Sequence, residues 1–291
     1  MYRHFCFCLV LGLVICIFPS ETFAVSEKPV GVFVSILPQK FLVERIGGDR
    51  VKVSVMVRPG LSPETYEPTP KQMAELHKTQ LYFRIRVPFE KVWIKRIADI
   101  NPGLEIIDCC GEIKIIDPIH DEHSDDSRTE DTHVWTSPGN AIVLAGIIKS
   151  ALSEYDPGSA EYFSANYDHL VAELNSLDFY IRNELADIKI PYFIVSHPSW
   201  GYYAEAYGLQ QISIEQHGSE VRARELSRLI EFARKWDIKT VYVQKQFNTA
   251  SARTLAREIN GKMVELDPLA ENYIDNLRYV TRMIVEGAGK K

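Results

Sequence analysis

Glu64, His133, His197 and Asp267 are metal-ligating side chains at places where a chain can present them to a cleft. Glu64 lies in "RPGLSPETYEPTPKQM", a stretch with four prolines that follows the β-like run "VKVSVMV". His133 lies in "TEDTHVWTSPGN", just ahead of a helix start. His197 ends the run "PYFIVSH", and Asp267 in "KMVELDPL" ends another and precedes a proline. Open α/β sheets gather their ligands at the carboxyl ends of strands. If they converge there, two neutral imidazoles and two carboxylates cancel the charge of a divalent ion, which makes its burial tolerable. Each residue taken singly also has a plainer account. His133 reads equally as an ordinary loop residue and Asp267 as a turn former, while for His197 a hydrogen-bonded core histidine is the lesser alternative. The other histidines are weaker candidates. His4 is in the leader, and His77 and His169 fall in helical patterns that suit surface or packing roles. His217 and Glu220 in "EQHGSEVRARELSRL" cap a helix start or stand behind the site, with capping the expected role.

These donors need elements to hold them. Short β-rich runs, "VGVFVSIL", "VKVSVMV", "LYFRI" and "LEIID", then "PYFIVS", "KTVYVQ" and "KMVEL", alternate with longer helical patterns. That alternation predicts mostly parallel sheets covered by helices. Thr69, Pro70 and Gln72 read as N-cap, first-turn proline and capping box, and Ser137 with Pro138 repeats the first two. Between the halves, Phe163, Tyr167, Leu170, Leu174, Leu177, Ile181 and Leu185 recur in steps of four and three on one helical stripe. No glycine or proline interrupts Ala160 to Ile190. The expected fold is therefore α/β, with two lobes joined by one long rigid helix. The expected division is a leader at 1–24, an N-terminal lobe at 25–157, a linking helix at 158–188 and a C-terminal lobe at 189–291. A stiff helix would resist large hinge bending.

Composition narrows the partners. A net charge of −6 provides no basic footprint for nucleic acid. The leader "MYRHFCFCLVLGLVICIFPSETFA" has an apolar run shorter than the roughly 20 residues that span a bilayer, so export with cleavage after Ala24 is expected over a permanent anchor. A lipid anchor at Cys16 is disfavoured by bulky Ile15 before it. Only Cys109 and Cys110 remain in the exported body, either as a vicinal pair, as free thiols or as a bridge between chains. "DPIHDEHSDDSRTED", with His120 and His123, is an acidic surface segment with little to bury.

Four segments, in this order, resemble the motifs of one family. "GLSPETYEPTPKQM" is similar to dPHtYePtP, "DTHVWTSPGN" to DPHvWldPxN, and "SHPSWGYYAEAYGL" to H-a-f-x-Y-f-x-x-x-y-G-l, with "ELDPL" near the end. From about Val30 onward the chain resembles the ZnuA/TroA-type (cluster A-I) metal-binding solute-binding proteins of zinc and manganese ABC transporters. The resemblance implies a metal in the inter-lobe cleft with one ligand per motif, which here are Glu64, His133, His197 and Asp267. The family usually has histidine where this chain has Glu64. Thr132 stands for its proline, and Thr136 and Ser137 for its Leu-Asp.

The implied protein is periplasmic, monomeric and not an enzyme. It captures a divalent transition metal and delivers it to a permease, and through that to the transporter's ATPase. Zinc accepts this donor set at about 2.0–2.2 Å, while manganese and ferrous ions accept it with more ligands. The absence of thiolates argues against copper(I). His120 and His123 resemble a shortened form of the histidine-rich loop of zinc-uptake members, as an auxiliary metal loop, or else are incidental to a solvated acidic segment. Together these favour zinc, with manganese or iron as the alternative. A secreted zinc hydrolase with Glu64 as its base is the competing enzyme reading. Tyr66, Trp135 and Tyr202, beside the ligand motifs, either wall the site from water or pack the lobes together.

Overall fold

A computed structural model of the chain describes residues 28–116, 130–215 and 221–290. The leader, the segment carrying His120 and His123, and the pair His217 and Glu220 lie outside the described residues.

Two four-stranded parallel sheets form the framework. In the first, β1 (Val30–Val34), β2 (Val51–Val55), β3 (Leu81–Arg84) and β4 (Glu105–Asp108) take the order β2-β1-β3-β4. In the second, β5 (Tyr192–Val195), β6 (Gln210–Ser213), β7 (Thr240–Val243) and β8 (Lys262–Glu265) take the matching order β6-β5-β7-β8. Both sheets are parallel throughout. The central strands are β-branched and aromatic, and Val32, Phe33, Val34, Tyr82 and Phe83 are nearly inaccessible, as expected where helices cover both faces. The runs seen in the sequence are all strands, each trimmed by a residue or more. β6 is an addition, since Gln210 and Gln211 hide it from a hydrophobic pattern.

The helices are α1 (Leu37–Gly47), α2 (Pro70–Leu76), α3 (Pro88–Ile100), α4 (Pro138–Tyr155), α5 (Ala160–Leu185), α6 (Gly201–Tyr207), α7 (Ala223–Lys235), α8 (Ala250–Glu258) and α9 (Tyr273–Ala288). The long helix of the sequence is α5, whose 26 residues span about 39 Å at 1.5 Å per residue. It buries Phe163, Leu170, Leu174, Leu177, Ile181 and Leu185, packing on α1 and α4 of the first half and α9 of the second. One apolar core therefore runs continuously from the first sheet along α5 to Trp200, Tyr203, Leu277 and Ile284. Ile194, Val241, Leu255 and their neighbours form a smaller second cluster.

Local chemistry stiffens the loop that carries Glu64. Arg58, Pro59, Gly60 and Leu61 make a turn closed by Leu61 N–H donating to Arg58 O at 3.1 Å, with Gly60 at φ 81°, where a side chain would be strained. The Thr69 hydroxyl accepts from Gln72 N–H at 3.4 Å, and Gln72 Oε1 accepts from Thr69 N–H at 3.0 Å, so the capping box is present. The same Gln72 accepts from Tyr66 Oη at 2.7 Å and donates to Met56 O at 2.7 Å, tying both ends of the loop together. Ser137 does occupy the N-cap of α4 with Pro138 in the first turn, but its hydroxyl makes no capping bond. Asn140 instead donates to Val134 O at 3.1 Å, bracing the turn after His133.

Candidate metal centre

Glu64, His133 and His197 each place one ligand atom within 4.8 Å of the others. Glu64 and His133 come from the first half of the chain, and His197 lies just past the end of β5 in the second. Glu64 Oε1 stands 3.9 Å from His197 Nε2. The two imidazole rings meet edge to face, with centroids 5.4 Å apart. Both histidines are buried, while the Glu64 side chain keeps 29% of its exposure.

A carboxylate orients each imidazole from behind. His133 Nδ1 lies 2.8 Å from Asp131 Oδ1, which also accepts from the His133 main-chain N–H at 2.9 Å. His197 Nδ1 lies 2.9 Å from Glu215 Oε2, and its ring stacks on Phe247 at 4.0 Å with 12° between the planes. A carboxylate accepts only, so each Nδ1 carries a proton, and in the neutral ring each Nε2 then holds the lone pair. This is the usual arrangement behind a metal-ligating histidine. His197 Nε2 is buried with no hydrogen-bond partner. An orphaned buried acceptor costs about 1–3 kcal/mol, so it calls for an explanation, and a cation beside Glu64 supplies one.

Asp131 and Glu215 were absent from the sequence candidates. Asp131 was legible as an acid two residues before His133. Glu215 depended on β6. Parallel pairing of Val195 with Ser213 brings the residues past both strand ends side by side, and Glu215 N–H donates to Ser196 O at 3.0 Å. His217, the neighbour singled out from sequence, lies outside the described residues.

Asp267 follows β8 and is not among the three mutually close donors. Its Oδ1 accepts from Leu269 N–H at 2.9 Å, the turn-forming role, and its main-chain oxygen accepts from Asn276 at 2.7 Å. With the Arg58–Leu61 turn and Gln246 it lines a cavity of about 290 Å³ between the two halves. His77 and His169 are exposed on or at the end of helices, the surface role expected of them. Trp135 Nε1 donates to Pro268 O at 2.6 Å, and Tyr273 Oη donates to Trp135 O at 2.7 Å, so Trp135 joins the halves. Tyr66 packs edge-on against Phe89. Cys109 and Cys110 are free and buried, and burial pushes both thiols up, Cys110 to about 12.

Two parallel-sheet lobes on a shared long helix, with a carboxylate and an imidazole of the first half meeting an imidazole of the second, define a solute-binding protein whose solute is a metal ion. A family model described as zinc-uptake complex component A periplasmic, ZnuA, matches residues 32–287, and the chain belongs to that family. A putative metal-binding protein of Chlamydia muridarum (strain MoPn / Nigg) is 30% identical over 254 residues, covering 84% of this chain and 87% of the relative. Zinc-binding lipoprotein AdcA of Streptococcus pneumoniae R6 is 27% identical over 270 residues, 86% of this chain but 54% of AdcA. A crystal structure of ZnuA superimposes with a TM-score of 0.86 at 36% identity, covering 90% of this chain and all of that one. A zinc-bound ZnuA deletion mutant gives 0.85 at 34% identity, over 91% and 100% of the two chains. The family and fold expected from the four motifs are thus borne out.

Proposed function

We propose that this protein captures zinc in the cleft between its lobes and delivers it to an ABC-transporter permease for uptake. Glu64, His133 and His197 hold the ion, and Asp267 supplies a fourth donor from the opposite cleft wall. The observation that carries this reading is the buried, unpartnered Nε2 of His197 aimed at Glu64, with both imidazoles fixed by carboxylates in the ligating tautomer. Two nitrogen and two oxygen donors make a closed tetrahedral set for zinc. The zinc-bound ZnuA structure and the zinc-binding AdcA relatives support this ion over manganese or iron.

A hydrolase would use Glu64 as a base and leave an open coordination position. Glu64 instead sits at ligand spacing from both imidazoles, which favours capture without turnover. In this reading the chain is exported, the leader is removed after Ala24, and the mature protein meets its permease as a monomer on the far side of the membrane.

Titration of metal-free protein with zinc, manganese and ferrous iron, read by calorimetry, tests the proposal. One zinc per chain, held more tightly than the other two ions, is the expected result. Failure of all three to bind at about one per chain would end it.

A further inference from the structure

We propose that Tyr202 is a positioning residue through which the C-terminal lobe controls the orientation of His133, a ligand of the N-terminal lobe, so that the ion is gripped only while the lobes are together. The inference rests on the ligand set proposed above.

His133 takes its orientation from Asp131, whose Oδ1 holds both the ring Nδ1 and the main-chain N–H of His133. Asp131 is itself held from the other lobe. Tyr202 Oη donates to Asp131 O at 3.2 Å and accepts from Ile116 N–H at 3.4 Å, so a single hydroxyl fastens two separate points of the first half of the chain. The other carboxylate oxygen, Asp131 Oδ2, fills the space that a Cβ on Gly201 would take, so the acid fits against α6 only because that residue is glycine. Burial raises the Tyr202 phenol to about 12, which keeps it a neutral donor.

Tyr202 belongs to the same rigid piece as His197. α6 starts at Gly201, and its approach is fixed by Trp200 N–H donating to Gln211 at 2.7 Å and Ser196 N–H donating to Tyr242 O at 2.8 Å. One piece of the C-terminal lobe therefore carries one ligand and steadies the carboxylate behind the other. Other ties between the halves, such as Trp135 Nε1 to Pro268 O and the Lys40–Glu271 ion pair, do not bond to Asp131 or Glu215, the carboxylates behind the two histidines. If the lobes part, the hydroxyl withdraws, Asp131 loses its anchor and His133 is freed to turn away. Loss of a partner behind a ligating histidine typically weakens metal binding about 10- to 100-fold.

The test compares Tyr202→Phe and Gly201→Ala with Tyr203→Phe, which removes a buried bond to Thr281 at 2.9 Å away from the ligands. Imidazole nitrogen shifts in metal-free protein report the His133 tautomer, and stopped-flow chelation reports zinc release. Tyr202→Phe is expected to mix the tautomers of His133, speed zinc release and weaken affinity about tenfold. Gly201→Ala should act in the same direction, while Tyr203→Phe should lower only the melting temperature. A single unchanged His133 tautomer in Tyr202→Phe, or zinc affinity tracking melting temperature across all three variants, would overturn the inference. Wild-type protein that takes up no zinc would instead sink the function, while the metal-free tautomer still decides the role of Tyr202.

Discussion

Replacing Glu215 with glutamine isolates the contribution of a single carboxylate behind a ligand. In the native protein Glu215 Oε2 accepts from His197 Nδ1 at 2.9 Å, and the side chain is 17% exposed, so solvent screens this charge weakly. Glutamine keeps the shape and still offers a carbonyl to the Nδ1–H, but the charge that makes Nε2 a better donor is gone. The Phe247 ring at 4.0 Å keeps the imidazole in its plane, so the ligand stays in place and only its basicity changes. Outer partners of this kind are worth about 10- to 100-fold in metal affinity, or about 1.4–2.8 kcal/mol. Competition against a chromophoric zinc chelator resolves such a difference. The same variant should change the melting temperature of metal-free protein by no more than roughly 2–4 °C, the shift that about 1 kcal/mol produces in a chain of this size. Glu173→Gln is the control, because its pairing with Arg45 joins α5 to α1 on the exposed surface. A Glu215→Gln affinity within twofold of wild type, or no worse than that of Glu173→Gln, would refute the argument.

Three further expectations follow from the donor geometry and the buried thiols. Glu64→Ala should weaken zinc binding about as much as His133→Ala, and an unchanged affinity by the same competition would remove Glu64 from the coordination sphere. Asp267→Ala should cost less than Glu64→Ala, since Asp267 already serves its own turn at Leu269; X-ray absorption should then show one protein oxygen fewer around the ion. Burial holds Cys110 neutral up to about 12, while the unfolded chain ionises it from the ordinary value of 9.0. The unfolded state then binds fewer protons than the native state over that interval, so stability falls as pH climbs from about 9 to about 12. Cys110→Ala should flatten this fall in denaturant midpoints, and an unaltered slope would count against burial as its cause.

What the sequence exposed and what it hid divide along a physical line. Strands such as "VGVFV" are legible because burial on both faces demands continuous apolar, β-branched residues. The α5 stripe is legible because a helix repeats its buried face every three to four residues. β6 was hidden because Gln211 is buried as a polar residue, satisfied by Trp200 N–H, and a hydrophobic pattern has no means of recording that. Losing β6 meant losing Glu215. The roles of Tyr202 were out of reach for a different reason. Its partners Asp131 and Ile116 lie 71 and 86 residues away in the chain, and only the packing of both lobes on α5 brings them together.

The same packing bears on the proposal that a glutamate serves where an imidazole is usual. His133 and His197 are each fixed by a carboxylate and shielded, with side-chain exposures of 11% and 9%. Glu64 is the member that still meets water, on a loop tied at both ends by Gln72 and turned by Gly60. With the proposed fourth donor Asp267, the carboxylates of Glu64, Asp131 and Glu215 make four acidic groups around one divalent ion. That surplus draws cations into a cleft whose walls focus the field. In the proposed ligand set Glu64, the most exposed of the three close donors, would meet an arriving ion first and exchange one of its waters for a carboxylate oxygen. The two imidazoles behind it offer lone pairs already aimed, so little reorganisation remains when the ion reaches them. An imidazole at position 64 would need its own partner to fix its tautomer, and among the described groups Glu64 is hydrogen-bonded only through its main-chain N–H, to Ser62. A carboxylate needs no such partner, because both of its oxygens carry lone pairs and no tautomer has to be fixed. If Glu64 ligates as proposed, the substitution moves the site toward oxygen donors, and the loop held by Gln72 and turned by Gly60 positions it in place of a carboxylate behind a third histidine.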